Sequence, residues 1–202
     1  MTVQNPALVS IALERSESRN PNQPGTREEK VAVLRPLVDR LCTSHHWRDH
    51  RHVRRPFGAA ELNAHVTGGH KYGLCPIAPG ESTCRVALLD FDSHDGATSW
   101  EEMLRIAGLV AFDLEQDGYA PILWRSSGGN GIHLYLLWDD SQEAYSVRAM
   151  LNAALARCGL KSGTRGVAAR EVEVFAKQNG VPADGWGSMF VLPLCGKSEL
   201  LT

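Results

Sequence analysis

The segment Arg85–Asp92 constrains the fold most, because a run of apolar residues ends there in two carboxylates separated by one residue. In a β-strand, alternate side chains lie on the same face, so Asp90 and Asp92 would share one face and Phe91 would lie on the other. Two like charges this close repel each other, and a divalent cation such as Mg2+, which prefers carboxylate oxygens, would offset that cost. The alternative is a strand that simply ends in the polar turn 93–96, and this segment alone leaves both interpretations open.

The composition limits the classes of protein to which the chain can belong. Its 202 residues suffice for one large domain or for one domain with a smaller extension. No apolar run approaches the roughly 18 residues of a membrane span and no secretion signal is evident, so we expect a cytoplasmic protein without a membrane partner. Five scattered cysteines favour a reducing compartment over a disulfide framework. The net charge of -2 gives no general reason for nucleic-acid binding, so any such site must be local.

Three parts are expected along the chain. Residues 1–25 mix polar residues with Pro and Gly, which predicts a flexible N-terminal arm. Residues 26–70 begin with a capping box at Thr26 and predict a helical subdomain, in which Pro36 should kink or split the first helix. Residues 71–202 form the third part, and because the chain stops soon after an apolar strand we expect a fragment of a longer protein.

From residue 85 onward, strand and helix patterns alternate regularly. They predict a strand over 85–92, a helix from the capping box at Ser99 to Gly118, strands over 121–125 and 132–138, a helix capped by Ser141, and strands over 171–175 and 189–194. The order β-α-β-β-α-β predicts an α+β fold, the ferredoxin-like or RNA-recognition-motif palm, with an N-terminal extension of helix and strand. In that topology the first strand is central, between the third and the fourth.

The expected topology brings further polar residues toward the carboxylates of the first strand. His133 lies at the start of the third strand, and Glu171 and Glu173 share one face of the fourth. We therefore expect His133, Glu173 and the aspartate pair to converge on the open face of the sheet. Several carboxylates around one point indicate cations, and two Mg2+ or Mn2+ ions are the usual device for in-line phosphoryl transfer.

Residues 125–133, Arg-Ser-Ser-Gly-Gly-Asn-Gly-Ile-His, would lie beside these carboxylates. Glycines leave backbone N–H groups accessible to an anion, Ser126 and Ser127 can donate hydrogen bonds, and Arg125 supplies positive charge. A plain hairpin turn explains the glycines alone, and a buried structural role is the ordinary explanation of a lone histidine. Because His133 follows a turn that carries Ser and Arg and neighbours an acid pair, we favour a functional site.

Residues 45–55 form the only basic cluster of the sequence. Arginines for phosphates and a tryptophan for base stacking predict a nucleic-acid contact, and a solvated basic surface is the alternative. The candidate contacts are Trp47, Arg48, Arg51, Arg54 and Arg55. Zinc is not expected, because the nearby cysteines and histidines lack a paired Cys-x-x-Cys spacing; the residues concerned are Cys42, His45, His46, His50, His52, Cys75 and Cys84.

With these motifs in place, the sequence resembles the catalytic domain of the archaeo-eukaryotic primase superfamily, in its primase-polymerase branch. The resemblance rests on three motifs in the family's order, namely Leu-Leu-Asp-Phe-Asp at 88–92, the turn and histidine at 125–133, and Glu-Val-Glu-Val-Phe-Ala-Lys-Gln at 171–178. The flanking segments 73–77 and 190–194 are similar to primases of phage, plasmid and conflict-system elements. The resemblance covers about residues 60–196.

This resemblance implies a template-directed nucleotidyltransferase that makes or extends primers on single-stranded DNA from NTPs or dNTPs, with a helicase or another replication protein as partner. It implies that Asp90, Asp92 and Glu173 hold two Mg2+ or Mn2+ ions, with Glu171 as the other candidate for the third ligand. The residues that would hold the triphosphate are Arg125, Ser126, Ser127, His133, Lys177 and Lys197.

Two other classes of function stay open at this point. One is a different metal-dependent phosphoryl-transfer enzyme, such as a nuclease or a nucleotidyl cyclase. The other is a non-catalytic nucleic-acid-binding module of the RNA-recognition type, which reads RNA with aromatic residues on its central strands. The acidic first strand disfavours that module, because its carboxylates would repel a phosphate backbone in the absence of metal.

Overall fold

The structure is a computed structural model that describes residues 25–201, except for the side chain of Asp95. The arm predicted over residues 1–25 therefore lies, apart from Gly25, outside the described residues. The elements in chain order are α1 (Arg27–Val38), β1 (Cys42–Arg48), β2 (Arg51–Val53), α2 (Ala59–Val66), β3 (Tyr72–Cys75), β4 (Thr83–Asp92), α3 (Trp100–Gln116), β5 (Ile122–Arg125), β6 (Gly131–Glu143), α4 (Ala144–Arg157), β7 (Lys161–Ser162), β8 (Glu171–Phe175), β9 (Phe190–Val191) and β10 (Leu200–Leu201), with 3-10 turns at His94–Gly96 and Val167–Ala169.

The strands form two sheets. The larger sheet has the order β10-β5-β6-β4-β8-β7, and the smaller one has the order β2-β1-β3-β9. Strand β4 is central in the larger sheet and pairs antiparallel with β6 on one side and with β8 on the other. Strand β5 pairs antiparallel with the far side of β6. The predicted α+β class is confirmed, and the carboxylate-bearing strand lies between the two strands that carry the other candidate site residues.

Helices α3 and α4 cover one face of the larger sheet. The sheet contributes a registered row to this core, in which Leu89 of β4 pairs with Leu134 of β6 and with Val174 of β8. The helices contribute apolar residues at helical intervals, among them Met103, Ala107, Val110, Leu114, Val147 and Leu151. Because strand side chains alternate, the neighbours of this leucine and valine row must lie on the opposite face. Among residues 25–201, no helix is both long and apolar enough to cross a membrane.

The opposite face of the sheet was predicted to be open, and over most of its length this was wrong. Leu88, Tyr135 and Phe175 form a row on that face and are at most 6% exposed. They belong to a second core, to which α1, α2, β3 and β9 contribute Leu34, Leu37, Leu62, Leu74 and Phe190. The prediction failed because it treated the N-terminal helices as a separate subdomain. Their apolar faces are in fact buried against this face of the sheet.

The segment 26–70 is not simply helical, which corrects the prediction for this part of the chain. It contains the β1–β2 hairpin, and β1 pairs with β3, which in turn pairs with β9 from beyond residue 70. One face of the hairpin is tied to the core through His46, whose ring lies 6.0 Å from that of Phe57 and 5.4 Å from that of Tyr72. The strand character of this segment therefore depends on partners that are distant in sequence.

Two helix boundaries also differ from the predictions. Helix α1 is not split at Pro36 but continues to Val38, because a proline this close to the end removes only one hydrogen bond of the helix. Ser141 does not cap α4; it lies in β6, and the N-cap is Glu143. Strand β6 extends through Ser141 because its end pairs with the beginning of β4, so a long-range pairing replaces the local cap.

Buried neutral histidines should make the stability of this fold sensitive to acid. His65 accepts a hydrogen bond from the Tyr72 N–H and donates to the carbonyls of Leu192 and Pro193. Burial lowers the pKa of His65 and of His46 below the usual value of about 6.5. The unfolded chain therefore binds more protons, so the free energy of unfolding should be highest above about pH 6.5 and fall from there toward pH 5.

Urea unfolding at pH 7.5, 6.5 and 5.5 measures this loss of stability. His65→Gln should lower the midpoint at pH 7.5 and should lose less stability than the wild type on acidification. The exposed His50 provides a control, since His50→Asn should keep the wild-type pH dependence. A wild-type protein as stable at pH 5.5 as at pH 7.5 would contradict the expectation.

Candidate active site

Three neighbouring strands place an imidazole and two carboxylates in one row. Asp90 of β4 is in register with His133 of β6 and with Glu173 of β8. His133 Nε2 lies 3.4 Å from Asp90 Oδ1, which is longer than an ordinary hydrogen bond. Asp90 Oδ1 is buried and has no hydrogen-bond partner among the described residues. The pairing of β4 with both neighbours thus brings these three side chains together on the face that carries the second core.

Asp92 lies at the end of the same strand, opposite Gly131. A Cβ atom at position 131 would lie 2.9 Å from Asp92 Oδ1 and 3.2 Å from Ser126 Oγ, so glycine permits the close approach of the turn to the carboxylate. Burial is the main cause that raises the pKa of Asp92, and the negative charge of Asp90 adds to it. A carboxylate that is unfavourable to ionise, next to a second carboxylate, is a donor set suited to a divalent cation.

Glu173 is in contact with a cation of the chain itself. Lys177 Nζ donates a hydrogen bond to Glu173 Oε1. The same ammonium group lies 4.5 Å from the centre of the Phe175 ring. Lys177, predicted to contact phosphate, therefore lies beside the third predicted metal ligand.

Glu171 has a different role, although it lies on the same strand as Glu173. It is 7% exposed, and the Arg165 side chain donates to its Oε1 from Nε at 3.0 Å and from Nη2 at 2.6 Å. The Arg165 backbone N–H donates to Oε2 at 3.0 Å, and Lys161 Nζ lies 3.5 Å from Oε1. The Arg165 hydrogen bonds hold the pKa of Glu171 at about 2. Arg165 occupies both oxygens of Glu171, whereas Lys177 contacts only Oε1 of Glu173, which is also in register with Asp90, so Glu173 is the better candidate for the third ligand.

The donor residues fit a divalent cation only in part. Over the described range 25–201, no group of three or more His, Cys, Asp or Glu side chains is arranged to hold a metal ion. Asp90 and Asp92 nevertheless suit one, since the first has a buried oxygen without a hydrogen-bond partner and burial raises the pKa of the second. Glu173 Oε1 could join them only after it separates from Lys177.

The glycine turn after β5 brings further candidate residues next to Asp92. Ser126 closes the turn, because its N–H donates to the Gly131 carbonyl at 2.8 Å and its Oγ accepts from the Gly131 N–H at 3.1 Å. The Lys197 N–H donates to the Ser127 carbonyl at 3.1 Å. A Cβ at Gly129 would lie 2.6 Å from Lys197 Cδ, so this lysine packs directly on the turn. Two serines and a lysine are thereby grouped on one side of the carboxylates.

Arg125 supports this turn from within. Its Nε donates to the Gly129 carbonyl at 2.9 Å, and its Nη1 donates to Glu199 Oε1 at 2.9 Å. The guanidinium also lies 4.1 Å from the centre of the Trp100 ring. These contacts fix the guanidinium and balance its charge, so Arg125 shapes the turn; a direct contact with a nucleotide stays a prediction.

The predicted nucleic-acid residues lie on the β1–β2 hairpin. Trp47 is in register with His52, and Arg48 is in register with Arg51, so the two pairs lie on opposite faces of the hairpin. Arg51 is exposed, and Trp47 and Arg48 are half-buried. Arg55 is less available, because its Nη2 lies 3.1 Å from Glu61 Oε1.

The structure adds a tryptophan that the sequence analysis missed. Trp186 stacks on His52 with ring centres 4.6 Å apart, and the Arg54 guanidinium lies 4.4 Å from the centre of its indole ring. His45 Nε2 donates to the Trp186 carbonyl at 2.9 Å. Trp186 is more than 130 positions away from this hairpin in the sequence. Only its position between two glycines, Gly185 and Gly187, marks it as a loop residue of interest.

The cysteines that were weighed as zinc ligands lie in apolar surroundings. Burial raises the pKa of Cys75 to about 12 and the pKa of Cys84 to about 11. Zinc binds the thiolate, and burial disfavours that form here. His46, from the same group, donates from Nδ1 to the Arg55 carbonyl at 3.0 Å and is part of the core.

Comparison with known proteins identifies a family and shows similarity to solved structures. The family described as "TOTE conflict system, Archaeo-Eukaryotic Primase domain" matches residues 29–200. No curated protein matches the chain. Among solved structures, the chain is similar to the polymerase domain of Mycobacterium tuberculosis Ligase D in complex with DNA, with 15% identity and a TM-score of 0.49. That match covers 76% of this chain and 57% of the other, so the chain spans little more than half the length of that relative.

Replacing Asp92 should stabilise the metal-free protein. Asp92→Asn removes a charge that burial and Asp90 make unfavourable, so the thermal midpoint in EDTA should rise by a few degrees; about 1 kcal/mol corresponds to about 2–4 °C for a domain of this size. Scanning calorimetry measures the midpoint. Added Mn2+ should stabilise the wild type but not the variant. Asp140→Asn, at an exposed position, should change neither result, and an Asp92→Asn protein that melts earlier in EDTA would refute the expectation.

Proposed function

Because the chain belongs to the archaeo-eukaryotic primase domain family of TOTE conflict systems, we propose that it is a primase-polymerase that makes or extends primers on single-stranded DNA from NTPs or dNTPs. The observation that supports this most is the registered row of His133, Asp90 and Glu173, with Asp92 beside a serine- and glycine-containing turn. Nucleotidyl transfer requires carboxylates that can bind divalent cations and, next to them, hydrogen-bond donors that can bind phosphates.

We also propose that the larger sheet is the ferredoxin-like palm. In support, the four strands that follow the β-α-β-β-α-β order lie as β5-β6-β4-β8 with antiparallel pairing throughout. In this division, residues 71–202 act as the catalytic palm and residues 26–70 as an extension. The extension covers the second face of the sheet up to the Leu88 row. Substrates would then approach the end of β4, where the carboxylates lie.

Asp90, Asp92 and Glu173 would hold the divalent cations of this reaction, Mg2+ or Mn2+. When bound, these ions would favour ionisation of the primer 3′-hydroxyl and balance charge on the triphosphate. The protein's contribution would be to hold the carboxylate oxygens on two paired strands whose apolar residues are packed in both cores. No side chain has to act as the general base in this proposal.

The residues around the glycine turn would hold the incoming nucleotide. Ser126 and Ser127 can donate hydroxyl hydrogen bonds, and Lys197 can supply positive charge to the phosphates. His133 can contribute Nε2, which is directed toward Asp90. Arg125 would act through the turn that it supports. A helicase or another replication protein, in cis or in trans, would supply the template, because a primase acts on DNA that has been made single-stranded.

A primer-synthesis assay tests this function. Wild-type protein should incorporate labelled NTP or dNTP on a single-stranded template with Mg2+ or Mn2+ and release pyrophosphate. Asp90→Asn and Glu173→Gln should each reduce product more than about 100-fold, because each removes a negative charge that would hold the cations of the reaction. Glu171→Gln is the matched control on the same strand and should keep most of the activity in protein that remains folded.

The other outcomes of this assay point elsewhere. Degradation of the template, or a cyclic nucleotide formed without a template, would refute the primase proposal in favour of a nuclease or a cyclase. Metal-independent binding of nucleic acid, together with no product from any nucleotide tested, would favour a non-catalytic module. Running NTPs and dNTPs separately identifies the preferred sugar.

We further propose that the β1–β2 hairpin contacts the single-stranded template. The hairpin carries exposed arginines at Arg51 and Arg54, which can pair with phosphates. Arg51 lies on one face of the hairpin, whereas Arg54 packs on Trp186 at the other face, where Trp47 and the stacked pair of His52 and Trp186 offer aromatic surface for bases. Stacking tolerates any base sequence, which suits a primer-making enzyme.

The salt dependence of DNA binding tests the role of the hairpin. Arg51→Ala should weaken binding to single-stranded DNA at every sequence and should reduce the slope of log K against log salt by about 0.7, the value for one lost phosphate contact. Fluorescence anisotropy over a range of salt concentrations measures both effects. Arg27→Ala removes the same charge from an exposed position on α1 and should leave the slope unchanged. Equal effects of the two substitutions would argue against a contact at the hairpin.

A further inference from the structure

Lys177 occupies the position beside Glu173 that a metal ion would need. Its Nζ donates to Glu173 Oε1, and Glu173 is the neighbour of Asp90 across the β4–β8 pairing. The side chains of Lys177 and Glu173 are 37% and 23% exposed, so the ion pair is partly shielded from solvent. A cation that binds all three carboxylates has to compete with this ammonium group.

The charges of the three carboxylates are balanced in different ways. Asp90 faces the imidazole of His133 at 3.4 Å, and burial raises the pKa of Asp92. Of the three, Glu173 alone has an ammonium or guanidinium group in direct contact among the described residues. A metal ion would therefore meet two carboxylates without an ammonium or guanidinium partner and a third, Glu173, that is already paired with Lys177.

The Lys177 side chain can leave Glu173 without disturbing the backbone. The Lys177 carbonyl accepts a hydrogen bond from Arg148 Nη1 at 2.7 Å, which holds the main chain at this position. Beyond Glu173, the ammonium group contacts the ring of Phe175 at 4.5 Å. A flexible four-carbon stem carries the charge, so it can move to a nearby anion while the backbone stays fixed.

We propose that Lys177 is a positioning residue that neutralises Glu173 in the empty site and transfers its charge to the incoming triphosphate when a divalent cation binds Glu173. This inference rests on the proposed function of the site. It makes metal and nucleotide binding cooperative, because each ligand favours the arrangement in which Lys177 has left Glu173. By linkage, the nucleotide must strengthen metal binding by the same factor by which the metal strengthens nucleotide binding.

A lysine that only binds phosphate predicts something different. It would not affect metal affinity in the absence of nucleotide. The competition described here makes Lys177 an obstacle to metal binding in the empty site and an aid only once phosphates are present. The sign of the effect on metal binding without nucleotide therefore separates the two roles.

A calorimetric titration of the full chain with Mn2+, in the absence of nucleotide, tests this role. Lys177→Met keeps the apolar stem against Phe175 and removes the charge, and it should tighten Mn2+ binding by up to about fivefold, the range expected for a partly exposed ion pair. With α,β-methylene-ATP present, the same variant should bind the nucleotide more weakly, and the cooperativity between nucleotide and Mn2+ should fall toward one. Lys177→Arg keeps a cation and should restore wild-type behaviour in both titrations.

Lys161→Met is the matched control, because it removes a lysine of β7 that lies 3.5 Å from Glu171, the other glutamate of β8, and it should leave Mn2+ binding unchanged. Unchanged or weaker Mn2+ binding by Lys177→Met overturns the inference. If the wild type then binds Mn2+ and Asp90→Asn does not, the proposed metal site is supported, although the role inferred for Lys177 is not. If neither the wild type nor Lys177→Met binds Mn2+, the inference falls and the metal site of the proposed function falls with it.

Discussion

The register of β4 with its two neighbours is the constraint on which the rest of the site depends. It places Asp90 beside both His133 and Glu173, and it places Asp92 against Gly131. A shift of one residue would turn every one of these side chains to the other face and would bring Leu89 out of the helix-covered core. The carboxylates are thus held by the burial of their neighbours. Leu89 lies in one core and Leu88 in the other, so both faces of β4 resist such a shift.

This arrangement concentrates negative charge at the end of a buried strand. The pKa of Asp92 is raised, and Asp90 has an oxygen without a hydrogen-bond partner, so this pair of carboxylates is electrostatically unfavourable. Such local instability is typical of sites that are shaped for a ligand rather than for stability. Glu171 illustrates the contrast. It lies two residues from Glu173 and is fully engaged by Arg165, as a structural carboxylate usually is.

Much of the site could be predicted from the sequence, because its parts are local motifs. The Asp-x-Asp strand end, the glycine turn with its histidine, and the glutamate strand are each readable from spacing and period 2. The family followed from their order. Spacing could not choose between Glu171 and Glu173, because both lie on one face; the choice depends on Arg165 and Lys177. Trp186 and the covered second face of the sheet were missed, since both arise from segments that are far apart in sequence.

By itself, the sequence determined the α+β class, the strands that carry the candidate residues, and the family, since these depend on local periodicity and short motifs. The tertiary structure decided which charges meet. It extended β6 to Glu143, past Ser141, which the local pattern had marked as a helix cap. It also packed the N-terminal helices on the second sheet face and paired Lys177 with Glu173. The physical reason is that burial and ion pairing are set by distances between elements, and local pattern does not encode those distances.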